Sequence, residues 1–179
     1  MDTIGKARNL AFPAVSLPST SSGAATAVAS NPAEVALATA IRALLAVSYT
    51  MYFTAHAAHW NIEGAVFPSW HGFFGSLYED VFGSIDPFAE SLRQHGVYAP
   101  TTLAEVLGGG VATTESRFEG GAGAPMVSAL LDTNAAVRGA LDAVCVAAEA
   151  AGDKGLANFC QERMAAHLKH DWQLRSMVK

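Results

Sequence analysis

The stretch 59-HWNIEGAVFPSWHGFFGSLYEDVFGSIDPFAE-90 decides the architecture of this chain. A histidine stands where one helical pattern ends, Gly64 follows, and a second amphipathic run resumes at Pro68. Glycine breaks a helix and proline is tolerated in its first turn, so the segment reads as a helical hairpin. His59 and His71 lie equally far from the loop midpoint at Ala65. An antiparallel hairpin therefore brings both imidazoles to one level. Asp86 and Glu90 are four residues apart, which puts both carboxylates on one helix face.

The rest of the chain extends this hairpin into a bundle. Asn31-Pro32-Ala33-Glu34 is a strong helix start, with Asn31 as cap, Pro32 in the first turn and Glu34 completing a capping box. The first helix then runs to about Trp60, with Val35, Ala38, Ile41, Leu45, Tyr49 and Tyr52 near one face. The second runs from Pro68 to about His95 and should kink at Pro87, at a cost of roughly 3 kcal/mol in a regular helix. Between Gly96 and Pro125 the pattern allows one short turn, Thr102 to Leu107, between glycine-rich stretches. A third helix is expected from Met126 to Ala150, its core face formed by Leu130, Val137, Leu141, Val144 and Ala148. Gly152-Asp153 turns the chain into a fourth, which reaches towards Met177 with Leu156, Phe159, Arg163, His167 and Leu174 near one face. No strand pattern occurs. The expectation is an all-α four-helix bundle in its ferritin-like form: two antiparallel pairs joined by a long crossover between the second and third helices.

Composition narrows the function classes. The chain has 179 residues, 51% of them apolar and only 15% charged, which leaves apolar surface to bury at subunit contacts. A net charge of −5 argues against a protein that grips nucleic acid with its whole surface. Two cysteines, Cys145 and Cys160, are too few for a disulfide framework and point to a reducing, cytoplasmic setting. The best apolar run, Val35 to Val47, is broken by Arg42, so no membrane partner is expected. Residues 1–30, rich in Ser, Ala, Thr and Pro, read as a flexible or docking arm, and residues 31–179 as the bundle. Lys6 and Arg8 before Leu10–Leu17 imitate a secretory signal, but Pro13 and Pro18 interrupt it.

The chemistry lies in His59, His71, Asp86 and Glu90. Fifteen residues separate His71 from Asp86, about 22 Å along a helix, too far to share an ion within one chain. If the four bind one metal centre, two subunits must supply it across a two-fold axis. Mixed imidazole and carboxylate ligands suit iron better than calcium or magnesium.

His59-Trp60-Asn61, followed by Phe67, His71, Asp86 and Ala89-Glu90, resembles the ferroxidase signature of the Dps family. The resemblance is strong from about Asn31 to Gly96, compatible through the last two helices, and does not cover the arm. It implies a hollow dodecamer whose paired subunits bind ferrous iron, oxidise it with peroxide or dioxygen, and pass ferric iron to a mineral core. One position departs from the pattern: where the family has an aspartate one turn after the second histidine, this chain has Gly75. Iron binding is therefore expected to be weaker than usual or lost. Family members that bind DNA often use lysine-rich arms, whereas this arm offers only Lys6 and Arg8, so DNA binding is expected to be weak or absent.

Plainer readings stand beside these. A lone histidine at a helix end is most often simply hydrogen-bonded, and only the joint spacing of the four residues points to a site. His56 reads as a core or cavity-lining residue. Glu79 and Asp80 read as a solvated or interface charge pair, with a water-mediated route to the metal as the alternative. Trp60, Trp70, Phe73, Phe74 and Tyr78 fit core or interface packing, and Gly72, Gly75 and Gly83 a close approach of two copies of the second helix. His167, Lys169, His170 and Asp171 are expected to satisfy the last helix's dipole and nearby carboxylates. Cys145 and Cys160, nearly equidistant from the last turn, read as free thiols. A scaffold subunit with a degenerate site, as in a virus particle, is the alternative function, with the arm as a strap that docks on another protein.

Overall fold

The computed structural model of the protein describes residues 31–108 and 118–179. The expected arm, residues 1–30, lies outside the described residues. Four long helices, α1 (Pro32–Asn61), α2 (Phe67–Gln94), α4 (Gly123–Ala151) and α5 (Lys154–Met177), carry the fold. A single helical turn, α3 (Leu103–Leu107), and a 3-10 turn at Glu119–Gly121 lie in the crossover. No strand occurs among the described residues. This is the all-α bundle with a long second-to-third crossover.

Local chemistry explains the boundaries. The Asn31 side chain accepts a hydrogen bond from the Ala33 amide at 3.0 Å, satisfying one of the first turn's orphan donors. Thr102 does the same for α3, accepting from the Glu105 amide at 3.1 Å. Gly152, at φ 78°, ends α4 in the left-handed conformation, and the Asp153 amide returns to the Ala148 carbonyl. Asp153 then caps α5 through the Leu156 amide and pairs with His95 at 3.0 Å, which ties the end of α2 to the last turn. α4 begins at Gly123, three residues earlier than its pattern suggests, because Pro125 fits inside a first helical turn. Gly123 is required there: a Cβ would come within 2.1 Å of the Trp70 ring. α2 passes through Pro87 as one helix, with Ser91 Oγ donating to the Pro87 carbonyl at 2.9 Å.

α1 packs on α2 and α4, and α4 on α5, while α2 and α5 touch at only a few residues. The α4 face foreseen from spacing is buried throughout. The α1 face is rotated from expectation: Leu37, Ile41, Leu44, Met51, Ala55 and Ala58 are buried, whereas Val35 is exposed and Tyr49 and Tyr52 are half-buried. Most residues of α1 are apolar and the polar ones are scattered around the helix, so period alone does not choose its inward side. At 30 residues, with a window of mean hydropathy 1.4, α1 is also long and apolar enough to cross a bilayer, contrary to the reading that Arg42 excludes it. Leu37, Ile41, Leu44, Leu45 and Met51 instead face the bundle core, while Phe53 and Trp60 are exposed.

Candidate metal centre

The last turn of α1 and the first turns of α2 place His59 and His71 in direct contact. Their rings stack with centroids 3.7 Å apart at an interplanar angle of 22°. Each Nδ1 meets the other residue's backbone carbonyl, at 2.8 Å for His59 and 2.9 Å for His71. A carbonyl oxygen only accepts, so both imidazoles carry their hydrogen on Nδ1. Both Nε2 lone pairs are then free. Metal-binding histidines are held in just this way, with the non-ligating nitrogen donating to a fixed acceptor. Phe67 stacks on the outer side of His71 at 4.8 Å, and Tyr78 sets its ring edge against His59 at 5.3 Å.

Asp86 and Glu90 are exposed one turn apart on α2. The long axial separation keeps them from the two histidines, and no group of three His, Cys, Asp or Glu residues able to hold a metal forms among the described residues. A Cβ at Gly75 would stand 3.4 Å from His59 Cε1 and Nδ1, in ordinary contact. A Cβ therefore fits at position 75 beside the His59 ring, so the space there does not demand glycine.

Asp80 belongs to a different site, which corrects its reading as a solvated or water-bridging group. Nine residues beyond His71, it points about half a turn away from the histidine face. It receives both terminal nitrogens of Arg163 and lies 3.4 Å from His170 Nε2. Burial opposes its charge, but the Arg163 hydrogen bonds and charge prevail and hold the carboxyl below the usual range. His167 and His170 are buried, not helix-end groups. His167 Nδ1 bonds Asn134 Oδ1 at 2.8 Å while Asn134 Nδ2 donates to the His167 carbonyl at 3.0 Å, clasping α5 to α4. Burial, then the neighbouring His170 and Arg163, push the His167 pKa down to about 3. The polar positions 163, 167 and 170 share one α5 stripe, a signal for this network that was present in the sequence. Both cysteines are free, Cys145 half-buried and Cys160 buried, and burial pushes the Cys160 thiol up to about 12.

Residues 38–179 match the ferritin-like domain family. A DNA protection during starvation protein of Brevibacillus brevis is 30% identical over 129 residues, 72% of this chain and 85% of that protein. The chain belongs to the Dps family of ferritin-like proteins. A Dps crystal structure from Bacillus brevis superposes with a TM-score of 0.72 at 26% identity, covering 83% of this chain and 99% of that one. A Dps protein of Vibrio cholerae, described as a ferritin-like diiron-carboxylate protein, shares the fold with a TM-score of 0.75 at 23% identity over 86% of this chain and 99% of that one.

Proposed function

We propose that this Dps-family chain binds and oxidises ferrous iron at a site shared by two subunits, and stores the ferric product in an oligomeric, dodecameric shell in the cytoplasm. The observation that carries this reading is the His59–His71 pair, with both Nδ1 hydrogens committed to backbone and both Nε2 lone pairs free. Asp86 and Glu90 supply the anionic half from the partner. A two-fold axis reverses the run of α2, so an offset of about 22 Å within one chain becomes proximity between two. The histidines hold the ion, the carboxylates offset its charge, and peroxide or dioxygen takes the electron. Two carboxylates balance one ferrous ion, so with Gly75 the site holds one ion tightly and not two. The net charge of −5 and the sparsely basic arm support weak or absent DNA binding.

Gly75 is also the observation that favours a second reading, a structural subunit of a larger assembly whose iron chemistry has decayed. Nothing among the relatives supports a virus particle as that assembly. Subunit mixing tests the shared site: His71→Ala and Glu90→Ala proteins, each defective alone, are dissociated and reassembled together. Random pairing of two-fold dimers rebuilds about a quarter of the sites intact. Iron binding no better than the average of the two variants contradicts the shared site, and an unmodified protein that binds no iron favours the structural reading.

A further inference from the structure

We propose that Tyr52 and His56 form a one-electron donor pair that supplies the second electron when iron at the His59–His71 site reduces peroxide. The inference rests on the reading just given and extends it to residues outside the ligand set. One ferrous ion yields one electron, whereas a peroxide accepts two. A site that holds a single ion therefore releases a hydroxyl radical unless a second donor is at hand.

The fold places such a donor two turns of α1 before His59, linked to it through His56 and Tyr78. Tyr52 and His56 occupy successive turns of α1, both half-buried, with the phenol oxygen 3.2 Å from His56 Nδ1. With Nε2 carrying the ring hydrogen, the phenol O–H donates to Nδ1. A phenol that loses an electron must also lose its proton, and the Nδ1 lone pair is positioned to take it. A phenylalanine at position 52 would fill the same space against Phe82, 5.2 Å away, but would have no proton to give. Tyr78 bridges the pair to the site. Its ring lies edge-on to His59 at 5.3 Å, stacks on His56 at 4.2 Å and 26°, and meets Tyr52 at 6.1 Å. Trp60, which is oxidisable like Tyr78, packs against His56 at 4.1 Å and is exposed. Among these rings, Tyr52 is the one whose ionisable hydrogen has a side-chain acceptor.

The step balances as Fe²⁺ + H₂O₂ + Tyr52–OH + His56 → Fe³⁺ + 2 OH⁻ + Tyr52–O• + His56–H⁺. The peroxide O–O bond breaks, iron and the phenol each lose one electron, and the phenolic proton rests on the imidazole. A second ferrous ion then returns an electron to Tyr52–O•, the proton moves back from His56, and two ions have been oxidised per peroxide without free radical release.

Rapid-freeze electron paramagnetic resonance tests the pair, using full-length protein loaded anaerobically with ferrous iron and mixed with hydrogen peroxide. The expected result is a tyrosyl radical that narrows on ring deuteration of tyrosine. Tyr52→Phe should lose it and release more hydroxyl radical to a spin trap, and His56→Phe should weaken it. A full radical signal in Tyr52→Phe, or iron oxidation by the unmodified protein with no tyrosyl radical, overturns the proposal. An iron-free measurement separates its failure from failure of the iron site. In metal-free protein a photogenerated one-electron oxidant should place the radical on Tyr52, with loss in Tyr52→Phe. A radical that settles on Trp60 or Tyr78 instead overturns the pair, and an unmodified protein that oxidises no iron overturns the iron reading and this role with it.

Discussion

Two histidine pairs occupy this bundle, and their surroundings assign them opposite roles. His59 and His71 stack half-buried at one end of the α1–α2 hairpin, their Nδ1 hydrogens on backbone and their Nε2 atoms unengaged. His167 and His170 lie buried on α5, edge to face at 5.2 Å, amid Asn134, Asp80 and Arg163. In the inner pair, His167 Nδ1 is engaged by Asn134 and His170 Nε2 faces Asp80, which ties α5 to α4 and α2, while His170 Nδ1 is buried without a partner. The outer pair retains the lone pairs that a metal needs. Chemical identity does not distinguish them, and partner inventory does.

The largest effect should come from breaking each pair in turn. His167→Ala leaves the Asn134 Oδ1 without its partner and opens a cavity in the core, and should cost about 3 kcal/mol in urea unfolding, without a specific loss of iron binding in protein that remains folded. His71→Ala should cost about 1 kcal/mol and lose iron binding. Equal destabilisation by the two, measured on the same assembly, would erase the distinction.

Acid should sharpen the contrast. His167 titrates at about 3 in the fold and near 6.5 when unfolded, and the fold also lowers His170. Between those values the unfolded chain binds protons that the native one refuses, so stability is complete above about pH 6.5 and falls as pH drops. The His167 share is up to about 1.4 kcal/mol per pH unit. Asp80, held below its unfolded value, adds a loss in the same direction below about pH 4. Urea midpoints from about pH 7 to 4 should show this slope, and His167→Gln should flatten it.

Gly75→Asp works on the outer pair alone. The new Cβ sits in ordinary contact with the His59 ring, and the carboxylate restores a ligand one turn from His71. Bound iron and oxidation rate should rise about tenfold or more. No gain, with a structure showing the carboxylate turned into the site, would refute the claim that its absence limits the chemistry. The smallest change is expected from Glu79→Gln. This exposed carboxylate lies two turns beyond His71, and screening should keep its effect on iron oxidation within about twofold. A larger loss would identify Glu79 as the replacement ligand.

How far the sequence disclosed this arrangement depended on whether a feature is local. The helix ends are written in Asn31, Thr102, Gly152 and Asp153, whose side chains or backbone angles satisfy the terminal amides and carbonyls. The contact of His59 with His71 followed from symmetry about Ala65. The inward face of α1 did not, because its polar residues are scattered around an apolar helix and leave no clear side to choose. The role of Asp80 was hidden because its partners, Arg163 and His170, lie more than eighty residues away. The tautomers of His59 and His71 depend on backbone carbonyls that no side-chain pattern encodes.

The central claim is that one iron ion lies between two chains. Anomalous scattering at the iron edge tests it most directly, from crystals of the assembled protein soaked anaerobically with ferrous iron. The account predicts a peak bonded to His59 and His71 of one subunit and to Asp86 and Glu90 of its neighbour, with occupancy for a single ion. A peak ligated within one chain, two fully occupied ions, or no peak beside the histidines at saturating iron would contradict it.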